Sequence, residues 1–303
     1  MSLKDLLKID VFGEELDLSD IDTVIDLFED AAHANLNARI RKGSVDYVLS
    51  LGRLLMTGRL MDNRKNLDRL IKLADLDADE NNHLVLHGLI HGPNVVKGLD
   101  LSYIMFARAA AMKMKYEEQI HILLSKHELA QVNNQTIGRK GVDLTQQFWQ
   151  TLDRIYGPDE AEDIRIAICK YIRSLSLAVR TESGLLCCHS LPDTEHAGEF
   201  DHNVLHRTPH QYDDLSIDGH AYNMVNGKNH DGEIVMRLRA LWDVKMFLIG
   251  NRAIADGYKI ESDSLITLSS EHEKGAALPF DLWKTQTTET LEPVIVPLAS
   301  IEA

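Results

Sequence analysis

Residues 53–63 read Arg-Leu-Leu-Met-Thr-Gly-Arg-Leu-Met-Asp-Asn, a short apolar run that ends in a polar cluster. The apolar part is typical of a short buried β-strand, and the change of composition at Gly58 indicates where the strand ends. Other apolar runs of the chain close on His87-Gly88, Ser125-Lys126-His127-Glu128, His189-Ser190, Gly250-Asn251 and Ser269-Ser270. Because ligands bind beyond the carboxyl ends of strands in open α/β sheets, we expect these clusters to form the functional site.

Composition limits the class of protein. The 303 residues are 44% apolar and 26% charged, which is typical of a globular chain with a substantial core. A net charge of −15 argues against nucleic-acid binding through phosphates, since that binding depends on clustered Lys and Arg. The three cysteines, two of them adjacent, favour a reducing compartment over a disulfide framework.

The sequence predicts no targeting or membrane segment. Residues 1–5 lack the apolar core of a signal peptide, and no apolar run approaches the ~18 residues of a membrane helix. We therefore expect a cytoplasmic protein without membrane or nucleic-acid partners. The oligomeric state stays open.

Hydrophobic periodicity predicts a helical lead-in over residues 1–43 and a single domain of α/β (α+β) type over residues 44–303. In the lead-in, a helical stripe starts at Ile21, with Asp20 as a plausible N-cap and Gly43 as a plausible stop. Further helices are predicted at 63–75, 101–116, 144–156 and 161–177. Strands are predicted at 53–57, 84–86, 120–124, 184–188, 244–249, 265–268 and 294–297. The His-, Asp-, Asn- and Gly-rich stretch 193–232 is expected to be a loop region over the site.

The polar clusters are similar to the motifs of a known superfamily. Two-metal phosphoesterases hold two ions about 3.5–4 Å apart through carboxylate and imidazole ligands. The family motif Gly-Asp-x-His-(Gly/Asp)-(Asn/His) matches residues 58–63, Gly-Asn-His-(Asp/Glu) matches residues 125–128, and Gly-His matches residues 250–251. His189 falls on the fourth motif and His87-Gly88 on the second. Over most of residues 43–282 the chain thus resembles the calcineurin-like metallophosphoesterases, in particular their bacterial branch resembling Ser/Thr protein phosphatases.

The resemblance implies a metallophosphoesterase-like sandwich of two mixed β-sheets flanked by helices, with most metal-ligand positions substituted. It places family ligands at positions that are here Arg59, Met61, Gly88, Lys126 and Asn251, and it retains His189 as a ligand. It also implies that His127 is the proton donor of the catalytic pair His127 and Glu128. Fixed cations at two ligand positions should repel a second metal, and a thioether suits hard divalent ions poorly.

We therefore expect a catalytically impaired phosphatase, or pseudo-phosphatase, that binds a phosphorylated small molecule or protein. Its predicted phosphate-binding residues are Arg59, Lys126, Arg180 and Arg207. No cofactor is predicted for this form. The alternative is an active metal-dependent phosphoesterase that hydrolyses phosphate monoesters with two divalent ions (Mn, Fe or Zn). Its replacement ligands would be drawn from His87, His91, Asp62 and His220. A third hypothesis is an oligomerisation module that uses the N-terminal helix.

Structural roles remain open for several of these residues. His127 and Glu128 could form a surface pair at a helix start, and His189 could be a hydrogen-bonded core histidine. Asp62-Asn63 is more typical of a helix N-cap than of a ligand pair. Arg180 and Arg207 are each as compatible with a salt bridge as with a phosphate. The histidines of the long loop are expected to be mostly solvated: His202, His206, His210, His220 and His230.

Overall fold

The computed structural model describes residues 6–196, 199–208 and 212–303. Two mixed β-sheets pack face to face, and helices cover their outer sides. The predicted class, an α/β (α+β) sandwich flanked by helices, is therefore confirmed. The predictions for residues 1–5 and His210 lie outside the described residues. Among the helices that are described, none is long and apolar enough to cross a bilayer.

The elements are short and evenly distributed along the chain. The α-helices are α1 (Ile21–Asn37), α2 (Arg64–Ala74), α3 (Ser102–Lys115), α4 (Lys126–Val132), α5 (Leu144–Tyr156), α6 (Pro158–Ser174), α7 (Tyr212–Leu215), α8 (His220–Asn226), α9 (Gly232–Trp242) and α10 (Thr288–Leu291). The strands are β1 (Lys8–Val11), β2 (Glu14–Asp17), β3 (Arg41–Lys42), β4 (Val45–Val48), β5 (Arg53–Thr57), β6 (Asn82–His87), β7 (Val95–Val96), β8 (Leu99–Asp100), β9 (Ile120–Leu123), β10 (Gly138–Arg139), β11 (Val142–Asp143), β12 (Ala178–Thr181), β13 (Leu185–Cys188), β14 (Met246–Ile249), β15 (Tyr258–Ser262), β16 (Leu265–Leu268), β17 (Ala276–Asp281) and β18 (Val296–Pro297).

Sheet topology brings the strand ends together. One sheet has the order β15-β16-β14-β13-β12-β4-β3, and the other has the order β18-β17-β5-β6-β9. Strands β13, β14 and β16 are mutually parallel in the first sheet, as are β5, β6 and β9 in the second. A bridge between Arg59 and Ser269 joins the end of β5 to the end of β16. The carboxyl ends of all six strands therefore meet at one edge of the sandwich.

The central strands are buried on both faces. In β13, Leu185 and Cys187 belong to the core between the two sheets, whereas Leu186 and Cys188 belong to the core under the helices. Strand β5 alternates in the same way. Because both faces are covered, these strands read as continuous apolar runs rather than as alternating ones. All three cysteines are free thiols.

Most predicted elements are confirmed. Strands β5 and β16 and helix α5 have the predicted bounds, and Asp20 caps α1 by accepting a hydrogen bond from the Thr23 N–H at 3.1 Å. The prediction that Gly43 stops this helix is wrong. Helix α1 ends at Asn37 because Ala38 leaves the helical region at ψ 129°, and Gly43 turns the chain at φ +62° before β4.

Three differences have simple causes. Helix α6 starts three residues before its predicted start because Pro158 occupies its first turn, where proline is favoured. Strand β17 has no counterpart among the predictions since it contains Pro279. The neighbouring β18 pairs only with Ala276 and Ala277, so the proline lies where no ladder hydrogen bond is needed on that side. Strand β12 also has no counterpart among the predictions, because it is only four residues long and directly follows the helical pattern of residues 161–177.

The N-terminal helix joins the main core through an aromatic cluster. Phe28 of α1 lies 5.7 Å from Phe106 of α3 and 5.5 Å from Tyr171 of α6, measured between ring centroids. All three rings are fully buried. The division into a lead-in (1–43) and a main domain (44–303) stays a prediction, with a hairpin of β1 and β2 preceding α1 in the lead-in.

We predict that Phe28→Ala lowers the free energy of unfolding by about 3–5 kcal/mol, since it leaves a cavity beside two buried rings. Urea unfolding measures the loss. Asp26→Ala, an exposed change on the same helix, is the matched control and should stay within about 0.5 kcal/mol of the parent. Equal stability of the two variants would show that α1 does not contribute to the main core.

Candidate functional site

A cavity of about 720 Å³ opens where the six strand ends meet. Its described wall includes residues from four of the six clusters, and Glu271, which directly follows a fifth, also lines it. These residues come from the ends of strands in both sheets: Arg59, Met61, Lys126, His127, His189, Asn251 and Glu271. Part of the predicted loop region also reaches it, because residues 225–229, at the end of α8 and beyond, line one side. The structure thus brings together most of the residues that the sequence singled out.

Two glycines allow the strand ends to approach so closely. A Cβ atom on Gly250 would lie 2.6 Å from the Cα of Gly58 and 2.6 Å from the His87 ring. A Cβ atom on Gly58 would lie 2.4 Å from the Cα of Ser269. Side chains at either position would push the two sheets apart at the edge that forms the site.

Arg59 crosses the mouth of the site as half of an ion pair. Its Nε and Nη2 atoms contact the two carboxylate oxygens of Glu271, the second at 3.2 Å, and its Nη1 donates to the carbonyl of Asn251 at 3.2 Å. Gly88 makes room for this side chain, since a Cβ at position 88 would lie 2.6 Å from the Cβ of Arg59. Gly88 also has φ +59°, so a carboxylate residue fits there neither sterically nor conformationally.

Two ammonium groups in the cavity have no partner among the described residues. Lys126 at the start of α4 and Lys228 both line it, and neither side chain makes a hydrogen bond or ion pair with any described residue. Burial lowers the pKa of Lys126, and the nearby charges of Lys228 and Arg59 lower it further. Lys126 is half-buried and Lys228 is exposed, and the repulsion between the two like charges favours an anion that binds to both.

Two pairs of histidines support the floor of the cavity. Nδ1 of His87 lies 2.9 Å from Nδ1 of His189, and Nδ1 of His91 lies 3.1 Å from Nδ1 of His127. Burial lowers the pKa of His87 and of His91 to about 4. Burial also holds the pKa of His127 and of His189 well below the ordinary value, with further lowering by Arg59 and Lys126. All four rings are therefore neutral at pH 7.

Glu128 has a structural position rather than a place in the cavity wall. It is fully buried, and its Oε1 accepts hydrogen bonds from the N–H groups of Leu89 at 2.6 Å and Ile90 at 3.4 Å. Ser125 donates to its other oxygen. The carboxylate thereby fixes the loop after β6 against α4, which sets the position of the neighbouring His127.

The loop after β5 combines a helix cap with backbone strain. Met61 and Asp62 both have left-handed backbones, at φ +48° and +56°. Such conformations cost about 1–2 kcal/mol each, and strained residues of this kind cluster at functional sites. Asn63 caps α2 by accepting from the Asn66 N–H at 3.0 Å, as the cap interpretation predicts. Asp62 pairs with Arg64 and is fully buried.

The donor set does not fit a two-metal centre. Within residues 6–196, 199–208 and 212–303, no three His, Cys, Asp or Glu side chains are placed to hold one ion. Among the proposed replacement ligands, His87 and His91 use both ring nitrogens in hydrogen bonds, and Asp62 faces Arg64. His220 does not line the cavity and accepts from the Asp201 N–H at 3.3 Å. No catalytic step through a metal follows from these residues.

The two remaining arginine candidates lie elsewhere. Neither Arg180 nor Arg207 lines the cavity. Arg180 donates to the carbonyls of Trp242 and Asp243, and Arg207 forms ion pairs with Asp201 and Asp214. Of the loop histidines, His230 departs from the prediction, since its ring is half-buried and lies 2.9 Å from the Leu191 carbonyl.

Three further cations line the cavity and were missed by motif reasoning: Arg139, Lys228 and Arg252. Arg139 donates to the carbonyls of His91 and Gly92 at 2.7 and 2.6 Å. Arg139 lies in a hairpin and Lys228 in the long loop region, outside the strand-end clusters. The Gly-Lys-Asn sequence at 227–229 was the available signal, but it has no periodicity that would place it over the site.

Comparison with known proteins supports the fold. No protein-family model and no curated protein match the chain. Among solved structures, a Ser/Thr protein phosphatase from Saccharomyces cerevisiae with similarity to human phosphatase PP5 superposes with a TM-score of 0.62 at 9% identity, covering 86% of this chain and 83% of that one. A cold-active protein-tyrosine phosphatase of a Shewanella species gives 0.56 at 14% identity, covering 83% and 81%. At these identities the likeness shows a phosphatase-like fold alone.

We predict that Gly250→Ala destabilises the protein by about 1–3 kcal/mol, because the added methyl group overlaps the Gly58 backbone and the His87 ring. Gly232→Ala is the matched control, since no heavy atom lies within 4 Å of its added methyl group. Urea unfolding of both variants measures the difference. Parent-like stability of Gly250→Ala would contradict the close approach of the strand ends.

Proposed function

We propose that this chain is a metallophosphoesterase-fold pseudo-phosphatase that binds a phosphate-bearing ligand in the cavity without hydrolysing it through two metals. The ligand would be the phosphate group of a small molecule or of a protein. Relation to the calcineurin-like superfamily is supported by the order of the clusters along the chain and by the phosphatase-like fold. A cytoplasmic location and the absence of a nucleic-acid partner stay predictions.

The observation that carries the proposal is the local charge. The chain as a whole has a net charge of −15, yet the described wall of the cavity contains a single carboxylate, Glu271, among several cations. The cations are Arg59, Lys126, Arg139, Lys228 and Arg252. A cleft lined by one sign of charge concentrates ligands of the opposite sign.

Lys126 and Lys228 are the groups available to a ligand. Arg59, Arg139 and Arg252 already have carboxylate or carbonyl partners, whereas the two ammonium groups have none in the described part of the chain. A phosphate between them would supply charge-assisted hydrogen bonds and remove their mutual repulsion. Arg59 can join only if it releases Glu271 in part.

We predict that Lys126→Ala and Lys228→Ala each weaken the binding of inorganic phosphate at least about tenfold, because each removes a hydrogen bond to a charged group. Isothermal titration calorimetry at low salt measures the affinity. Lys72→Ala, which removes an exposed lysine of α2 outside the cavity wall, is the matched control and should bind like the parent.

The same samples test hydrolysis. The proposal expects no turnover of p-nitrophenyl phosphate with Mn, Fe or Zn, in the parent or in any variant. Metal-dependent turnover that His127→Ala abolishes would replace the proposal by the active phosphoesterase of the alternative hypothesis. Failure of phosphate to bind at all would remove the proposal as well.

The lowered pKa of Lys126 predicts how binding depends on pH. Lys126 loses its proton at a lower pH than an exposed lysine, so phosphate affinity should fall as the pH rises through the alkaline range below the ordinary lysine pKa. Arginine keeps its charge in this range, so Lys126→Arg should flatten the decline. Titrations across this range measure both proteins. Equal declines in the two would show that Lys126 does not contact the phosphate.

A further inference from the structure

The two histidine pairs determine which atom each ring presents to the cavity. His127 and His189 line the cavity, and each turns its Nδ1 toward a deeper ring, His91 or His87. No hydrogen bond from a described residue reaches Nε2 of His127 or of His189. Nε2 is therefore the polar ring atom that each can offer to a ligand.

The carbonyl of Thr57 fixes the protons of the first pair. Nε2 of His87 lies 2.9 Å from this oxygen, which can only accept, so Nε2 carries the proton. In a neutral ring Nδ1 is then unprotonated. The Nδ1···Nδ1 contact of 2.9 Å needs one proton, which His189 must supply. Nε2 of His189 is consequently an unprotonated acceptor.

An oriented amide fixes the second pair. The Nε2 group of Gln131 donates to the carbonyl of Thr145 at 3.1 Å, so its Oε1 is the atom that faces His91 Nε2 at 2.8 Å. His91 therefore donates through Nε2 and accepts through Nδ1. His127 donates from its own Nδ1 at 3.1 Å. Nε2 of His127 is also left as an unprotonated acceptor.

The surroundings oppose an extra proton on either pair. All four rings are buried, and Arg59 and Lys126 line the same cavity as His127 and His189, so an additional positive charge on either pair is unfavourable. The cavity thus combines cations that attract an anion with two acceptors that repel bare anionic oxygens. An oxyanion that carries a hydroxyl group satisfies both.

We propose that the site selects protonated oxyanions: inorganic phosphate, or a phosphate monoester bound as its monoanion after taking up one proton from solvent, donates an O–H to Nε2 of His127 or His189, while its unprotonated oxygens face Lys126 and Lys228. This inference rests on the proposed function, since it describes the same ligand. It excludes sulfate and sulfate esters as good ligands, because they carry no proton at neutral pH. The selection comes from the tautomers and not from net charge.

Titration calorimetry with inorganic phosphate and with sulfate at pH 7 and equal ionic strength tests the inference. We expect phosphate to bind at least about tenfold more tightly, since sulfate leaves both acceptors facing a bare oxygen. Equal affinities would overturn the inference and leave the proposed function standing. If neither anion binds, the proposed function fails and the inference fails with it.

Two glutamine variants connect the preference to the rings. An amide can donate to a sulfate oxygen, so His127→Gln and His189→Gln should each reduce the phosphate-to-sulfate ratio several-fold. His33→Gln, an exposed change on α1, is the matched control and should keep the ratio. An unchanged ratio in both cavity variants would overturn the inference.

Nitrogen-15 NMR of the histidine-labelled parent measures the tautomers without any substitution. We expect protonated Nδ1 and unprotonated Nε2 for His127 and His189. Protonated Nε2 atoms in both rings would overturn the inference, whatever the calorimetry shows.

Discussion

The site depends on the close contact between the ends of two sets of parallel strands. Strands β5, β6 and β9 of one sheet and β13, β14 and β16 of the other all finish at the same edge, and Gly58 and Gly250 touch there through their backbones. Five of these six strand ends then contribute one or two side chains to the described wall of a common cavity. The chemistry of that cavity is consequently set by which side chains follow the strands, while the packing of the strands themselves is unaffected.

In this chain the side chains that follow the strands give the cavity wall an excess of cations, from which we propose an anion site. Three positions at which the resemblance implies metal ligands contain Arg59, Lys126 and Asn251, and all three side chains line the cavity. Gly88 is compatible with this arrangement, since the space for a side chain at this position is occupied by Arg59. The glycine at position 88 and the arginine at position 59 depend on each other physically. A carboxylate side chain at position 88 would overlap the space that the Arg59 side chain occupies.

The strands and the convergence of the clusters could be predicted from the sequence. Apolar runs such as Leu54–Met56, buried on both faces, have a clear pattern, and the polar residues after them mark the carboxyl ends. The pairing of His127 with His91 could not be predicted, because it depends on contacts between residues 36 positions apart. The same holds for Glu271, whose pairing with Arg59 joins residues 212 positions apart. Arg180 and Arg207 were predicted to bind phosphate from their residue type alone. In the structure Arg180 donates to a backbone carbonyl and Arg207 pairs with a carboxylate.

The ion pair between Arg59 and Glu271 has a mechanical consequence. Arg59 follows β5 of the smaller sheet and Glu271 follows β16 of the larger one. Their two contacts therefore form a cross-link between the two sheets. Sliding of one layer over the other would break both contacts at once. The ion pair thereby fixes the width of the cavity opening before a ligand binds. Binding to a preformed cavity does not include the entropic cost of ordering the residues of its wall. Such preorganisation generally increases affinity.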